Sequence, residues 1–280
     1  MKEFNVINSR VPRVDARAKV TGDARYTADL SMPNMLYGAL LQSPHAHAKI
    51  LNIDTSAAKK LIGVKEVVTA KEASPIKFGL SPARYDEMMF CTEKVRYVGD
   101  EIAAVAAVDP DTAMEAISLI KVDYEELPAY FNIFDAMKEG AMLIHDDYPG
   151  NINAEVHQEF GNVEEAFKQC DYIRTDKFVN KKQDGAFIEP QACLANYDMD
   201  GNLILYSSTQ APHYVQRILS MVLNVPIGKV RVVKPYVGGG FGPKASASTL
   251  ELTACFLSMK TGRPVKMVFN REQVFMHSRA

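Results

Sequence analysis

Apolar and polar positions along the 280 residues repeat on two periods, one near two and one near three and a half. β-Branched or apolar runs of strand length fall at 36–41, 49–53, 64–69, 95–98 and 102–108, with a short helix at 55–61 between two of them. Asp109-Pro110-Asp111 then offers an N-cap and a proline at the first helical position, and Ala113, Ala116, Ile117 and Ile120 continue along one face. A strand at 121–124 closes this first group. The stretch His145-Asp146-Asp147-Tyr148-Pro149-Gly150-Asn151 is polar and rich in turn formers, and it marks a linker.

Past that linker a helix is predicted at 162–168 and an extended strand at 172–180. Runs at 193–197 and 203–207 form a hairpin turning at Asp200-Gly201. Pro212–Leu223 places Val215, Ile218, Leu219, Val222 and Leu223 at helical spacing, and a strand follows at Val230–Val233. Ser248 and Glu251 make a capping box for an apolar helix that stops at Gly262, with a strand from Pro264 through Phe269. Asn270 caps a last helix, which reaches Ala280 with no glycine or proline to end it; the expectation is a longer chain. Residues 1–30 are polar and read as an arm over a domain surface. The pattern is α+β, in two units at 1–149 and 150–280.

Composition narrows the function classes. With 47% hydrophobic and 24% charged residues the chain can bury two cores, and a formal net charge of −2 gives no electrostatic footprint for nucleic acid or an anionic membrane. No apolar stretch is long enough to span a bilayer, and Met1-Lys2-Glu3-Phe4-Asn5 lacks a signal-peptide run, so a cytoplasmic location is expected. Cysteines 91, 170, 193 and 255 have no close spacing, which excludes a local zinc knuckle or iron–sulfur cluster and predicts reduced, buried thiols.

Candidate chemistry concentrates in two loops, Ser207-Ser208-Thr209-Gln210-Ala211-Pro212-His213 and Val237-Gly238-Gly239-Gly240-Phe241-Gly242-Pro243-Lys244. Glycines cluster where backbone takes positive φ or presses against a ligand. The second loop is no P-loop, and Pro243 occupies the third position of the dinucleotide fingerprint, so nucleotide hydrolysis and NAD binding are disfavoured. What remains is a nest of N–H groups from Gly239, Gly240, Phe241 and Gly242, suited to an anionic or oxo-bearing ligand, with the Phe241 ring as a wall. Gln210 is either a helix-terminus hydrogen-bond partner or an uncharged donor to a ligand oxygen. His213, in a first helical turn, reads as structural. His45-Ala46-His47 puts two imidazoles on one side of a strand, half a metal site at most, and Glu189 fits a strand-edge acceptor as well as a catalytic carboxylate.

With these residues in hand, the chain resembles the molybdenum-binding large subunit of the xanthine oxidase and aldehyde oxidoreductase family over nearly its whole length. Gly22, Tyr26-Thr27-Ala28-Asp29, Ser43-Pro44-His45-Ala46 and Val95-Arg96-Tyr97-Val98-Gly99-Asp100 resemble that family's α/β hammerhead domain. Glu189-Pro190, Thr209-Gln210 and Gly238-Gly239-Gly240-Phe241-Gly242 resemble the start of its molybdopterin-binding domain. The resemblance implies an oxidoreductase acting on an aromatic, heterocyclic, aldehyde or aryl-CoA substrate. It also implies a molybdenum-molybdopterin cofactor in its cytosine dinucleotide form, and iron–sulfur and FAD subunits as partners. Gln210 would hydrogen-bond an oxo ligand, and the backbone at Phe241 and Gly242 would line the coordination sphere; no direct metal ligand is implied in this chain.

Two departures from the family pattern matter. Xanthine-oxidising members carry Gly-Lys-Glu where this chain has Pro243-Lys244-Ala245, which argues against a purine and toward members resembling hydroxybenzoyl-CoA reductase. The family's glutamate base and its arginine near the metal lie further along than Ala280, so no catalytic residue is expected here, and the 280 residues alone are expected to be inactive. Apolar faces of Pro212–Leu223 and 249–259 are expected to be exposed where the rest of the pocket docks. A competing class is a non-catalytic module that keeps the fold as an interaction surface.

Overall fold

Two sheets organise residues 7–80 and 85–277, which are the residues described in the computed structural model. The strands are β1 (Leu36–Gln42), β2 (Ala48–Asp54), β3 (Val64–Thr69), β4 (Lys94–Val95), β5 (Glu101–Ala107), β6 (Lys121–Glu126), β7 (Ala192–Tyr197), β8 (Leu203–Ser207), β9 (Val230–Val233) and β10 (Val265–Val268). Helices α1 (Ala16–Thr21), α2 (Ser56–Lys60), α3 (Pro110–Ser118), α4 (Ile133–Ala136), α5 (Val163–Lys168), α6 (Pro212–Leu223), α7 (Thr249–Thr261) and α8 (Arg271–His277) join them.

The seven-stranded sheet runs β3-β5-β1-β10-β7-β8-β9, and the three-stranded one β4-β2-β6. Both halves of the sequence share the larger sheet. β1 pairs in parallel with β10, Leu36 opposite Val265 and Tyr37 opposite Lys266, so the ladder crosses the linker region. β5 is buried at every position because both faces are covered, and its Ala-Ala-Val-Ala-Ala run leaves room for elements packed close on each side. On one face lie α3 and the small sheet, around Ala48, Val95, Val105, Ala113 and Ala116. A second core joins Leu205, Val215, Ile218, Leu219, Leu250 and Leu257 under the C-terminal half.

Local signals explain the boundaries. Asp109 Oδ1 accepts the Thr112 N–H at 2.7 Å and Pro110 opens α3. Ser248 and Glu251 close their capping box on α7, which ends at left-handed Gly262. The hairpin turns at Asp200-Gly201 as expected, and Asn270 and Gln273 exchange hydrogen bonds at the start of α8. The unterminated end at Ala280 lies outside the described residues.

Four expectations are corrected. The run 95–98 is a strand only to Val95, because the Asp100 carboxylate accepts the Arg96 N–H at 2.8 Å and bends the chain into a turn. The arm holds a short helix, α1, stopped by left-handed Gly22. No strand forms at 172–180: that stretch is exposed and without regular secondary structure, with no partner strand among the described residues. Finally, α6 and α7 do not present apolar faces to solvent; α6 buries Val215, Ile218, Leu219, Val222 and Leu223, and α7 is buried from Thr249 through Ser258.

Candidate functional site

Three stretches of backbone meet at one end of the hairpin: residues 186–190 entering β7, 207–211 leaving β8, and 237–245 between β9 and α7. Lys244 fastens them. Its side chain is 1% exposed, and its ammonium sits 2.8 Å from Glu189 Oε2 and 2.8 Å from the Glu189 carbonyl, over the Phe187 ring. Its own carbonyl accepts the Gln210 N–H at 2.8 Å and the Thr209 hydroxyl at 3.2 Å. Glu189 Oε2 in turn accepts the Gly238 N–H at 2.7 Å. Burial pushes the Lys244 ammonium below the usual lysine range, opposed by the Glu189 carboxylate. Glu189 thus ties loops together rather than edging a strand.

The glycine loop divides its glycines by task. Gly239 at φ 102° and Gly242 at φ 104° occupy backbone that disfavours a side chain. Gly240 is not left-handed; a Cβ there would lie 2.5 Å from Gln210 Cδ, so its smallness makes room for the amide. Between them Phe241 stands at φ 51° and is 74% exposed. An aromatic residue held left-handed with no burial to offset the cost is the kind of strain found at functional sites.

Gln210 Oε1 accepts the Gly242 N–H at 3.1 Å, so the two loops are in direct contact. The N–H groups of Gly239, Gly240 and Phe241 meet no acceptor among the described residues, and neither does Gln210 Nε2. Of the four-residue nest read from the sequence, Gly242 is therefore already engaged, and three backbone donors with one amide donor remain. This donor set, without a charge of its own, fits an anionic or oxo-bearing group. Signals for the Lys244–Glu189 tie are absent from local sequence, since the partners are 55 positions apart.

Behind the loop, a cleft of about 340 Å³ lies between the N-terminal half and α7–α8, lined by Arg96, Asp100, Glu101, His145, Pro243 and His277 among others. Glu101 is its anchor: Oε1 takes the Thr249 hydroxyl at 2.6 Å and lies 2.8 Å from His277 Nδ1. Burial, reinforced by the Glu101 charge, pushes the Asp100 carboxyl up to about 6. This cluster too was invisible in the sequence, because it joins residues up to 176 positions apart.

The other histidines and the cysteines singled out in the sequence take varied positions. His45 and His47 precede β2 rather than lying along it; His47 is buried with Nδ1 2.8 Å from the Pro128 carbonyl, and His45 packs against Tyr124. Among the described residues no cluster of His, Cys, Asp and Glu could hold a metal ion. His213 is exposed on the first turn of α6. Cys91, Cys193 and Cys255 are buried, and burial pushes their thiols well up. Cys170, expected to be buried, is exposed, as is every residue from 152 to 183 around it. No helix among the described residues is long and apolar enough to cross a membrane.

Comparison with known proteins identifies the family. Residues 21–128 match the aldehyde oxidase and xanthine dehydrogenase a/b hammerhead domain, and residues 144–280 match the molybdopterin cofactor-binding domain. The chain is 39% identical over 272 residues to the nicotinate dehydrogenase large molybdopterin subunit of Eubacterium barkeri, covering 97% of this chain and 63% of that one. It is 34% identical over 276 residues to the xanthine dehydrogenase molybdenum-binding subunit of Escherichia coli O157:H7, covering 95% of this chain and 36% of the relative. Among solved structures, quinoline 2-oxidoreductase from Pseudomonas putida 86 superposes with a TM-score of 0.85 at 30% identity, over 96% of this chain and 35% of that one. The chain thus spans less than two thirds of the relatives it matches. With both domains matched in order, the chain belongs to the aldehyde oxidase and xanthine dehydrogenase family of molybdopterin proteins.

Proposed function

We propose that the chain supplies one wall of the molybdenum-pterin site of an oxidoreductase, with Gln210, Gly239, Gly240, Phe241 and Gly242 facing the cofactor. The observation that carries this reading is the set of donors at Gly239, Gly240, Phe241 and Gln210 Nε2 that meet no acceptor among the described residues, beside the contact between Gln210 and Gly242. When bound, the cofactor supplies two-electron redox chemistry at its metal. This chain's part is to hold and orient it: backbone donors without charge stabilise oxygen atoms there. The Lys244–Glu189 tie fixes the two loops relative to one another.

Several finer features belong to the same reading. The cofactor is the cytosine dinucleotide form, and electrons leave through iron–sulfur and FAD partner subunits, in keeping with the relatives' names as subunits and chains of larger enzymes. The general base comes from outside these 280 residues. The hammerhead unit ends near 149 and the cofactor-binding unit begins near 150. Ala245, beside Lys244 on a 3-10 turn, offers no polar side chain, which favours an aromatic, heterocyclic, aldehyde or aryl-CoA substrate over a purine. The test is Gln210→Ala in the assembled complex. Turnover falls by roughly 10- to 100-fold with molybdenum content unchanged, as expected for one lost hydrogen bond of about 1–3 kcal/mol; unchanged turnover refutes the assignment.

A further inference from the structure

Both partners in the Lys244–Glu189 tie lead back to one carboxylate. Lys244 lies on the 3-10 turn Pro243–Ala245, and the chain then runs through Ser246, Ala247 and Ser248 to Thr249, the first residue of α7. The Thr249 hydroxyl donates to Glu101 Oε1 at 2.6 Å. On the other side Arg271, which opens α8, donates from its guanidinium to the Ile188 carbonyl at 3.1 Å, next to Glu189. The far end of α8 returns to the same oxygen, with His277 Nδ1 2.8 Å from Glu101 Oε1. Contact is tight there: Gly99 stands at φ 103°, and a Cβ on it would lie 2.7 Å from Met276 Cβ. Glu101 itself belongs to β5, in the hammerhead region, and its side chain is 2% exposed.

We propose that Glu101 is a positioning residue for the glycine-loop site, holding α7 and α8 to β5, and that His277 makes this hold tighten in acid and relax in base. A carboxylate oxygen that accepts from two elements at once fixes their separation, and a charged donor makes the stronger bond. An imidazole changes charge between about pH 5 and 8. Protonated, His277 forms a buried ion pair with Glu101; neutral, it keeps a hydrogen bond through Nδ1 alone. Among the described residues the other ionisable groups lining this cleft are Asp86, Glu87, Cys91, Arg96, Tyr97, Asp100 and His145. Arg96 donates to the Ile144 and Lys94 carbonyls, and on α7 Glu251 accepts from Ser207 and Ser248. Burial pushes the Cys91 thiol and the Tyr97 phenol up and the His145 imidazole down. Asp100, raised to about 6, gains its negative charge beside Glu101 over the interval in which an imidazole loses its positive one. The two titrations act in the same direction. That the positioned loops face a cofactor rests on the reading given above.

Hydrogen exchange of the 280-residue chain, read by mass spectrometry between about pH 5 and 8 and divided by the intrinsic rate at each pH, tests it. The amides of interest are those of 186–190, 207–211 and 237–245, with α3 and the Asp200-Gly201 turn as references. In the wild type, protection of the site loops falls by about 5-fold or more as pH rises through that interval, the size of an ordinary coupling between sites, while the references hold steady. His277→Gln keeps a donor that does not titrate and removes at least half of the dependence; adding Asp100→Asn removes the rest. Glu101→Gln lowers protection of the site loops at the acidic end. Thr249→Val deletes one hydroxyl at nearly constant volume and lowers protection of 237–245, so the positioning claim stays testable if Glu101→Gln does not fold. Site loops without pH dependence, a dependence unchanged in His277→Gln, or a Thr249→Val effect spread equally over the references would each overturn the proposal. Exchange is read without cofactor, whereas failure of the cofactor reading appears in the turnover of Gln210→Ala, so the two failures are distinct.

Discussion

Replacing Lys244 by methionine isolates the tie that joins the three site loops. The wild-type Lys244 side chain is 1% exposed and that of its partner Glu189 9% exposed, so neither charge has solvent to fall back on. Methionine keeps most of the stem's volume over Phe187 but removes both hydrogen bonds to Glu189, leaving Oε2 with the Gly238 N–H and Oε1 with no partner. A buried charge stripped of its partner costs about 3–5 kcal/mol. Urea unfolding of the 280-residue chain, followed by far-ultraviolet circular dichroism, measures it as a shift of midpoint at constant slope. The double variant Lys244→Met/Glu189→Gln removes both charges and retains an acceptor for Gly238, so it recovers at least half of the loss, giving a coupling of roughly 2 kcal/mol or more. A loss under about 1 kcal/mol for the single variant, or additive effects in the cycle, would show that the pair holds nothing together.

Three further outcomes follow from the same geometry. Gly240→Ala places a Cβ where Gln210 Cδ now lies; because that side chain can swing away, stability changes by less than about 1 kcal/mol while the Gln210–Gly242 hydrogen bond is lost, visible as a shifted Gly242 amide resonance. A native-state thiol titration at pH 8 labels Cys170 alone of the four cysteines; rapid labelling of a second would contradict the burial of Cys91, Cys193 and Cys255. Asp100, raised in the fold to about 6 from 3.8, binds more protons folded than unfolded between those values, so its contribution to stability falls as pH rises through that window. Asp100→Asn flattens this dependence and raises stability at pH 7 by about 1–3 kcal/mol; an unchanged pH profile would count against it.

Legibility in the sequence followed the range of the forces involved. Strands and helices set by local pattern and capping, such as the Asp200-Gly201 hairpin, Asp109-Pro110 and Ser248 with Glu251, lie where the residues placed them. The seven-stranded sheet was not legible as one object, because the β1–β10 pairing joins elements from opposite ends of the chain. Residues 172–180 have a strand's composition but no partner strand among the described residues, and composition alone does not supply a pairing partner. At the site, the glycines and Gln210 were readable because glycine clusters are costly without a reason. Which glycine serves φ and which makes room emerges only in the folded chain, as do the roles of Lys244, Glu189 and Glu101, which arise from partners distant in sequence.

The most direct test of the cofactor assignment is anomalous diffraction at the molybdenum absorption edge from crystals of the assembled complex. A metal peak beside Gln210 and the backbone of Phe241, with cofactor oxygens facing the Gly239 and Gly240 N–H groups, is the predicted result. A peak elsewhere in the complex, with the glycine loop packed only against protein, would contradict it.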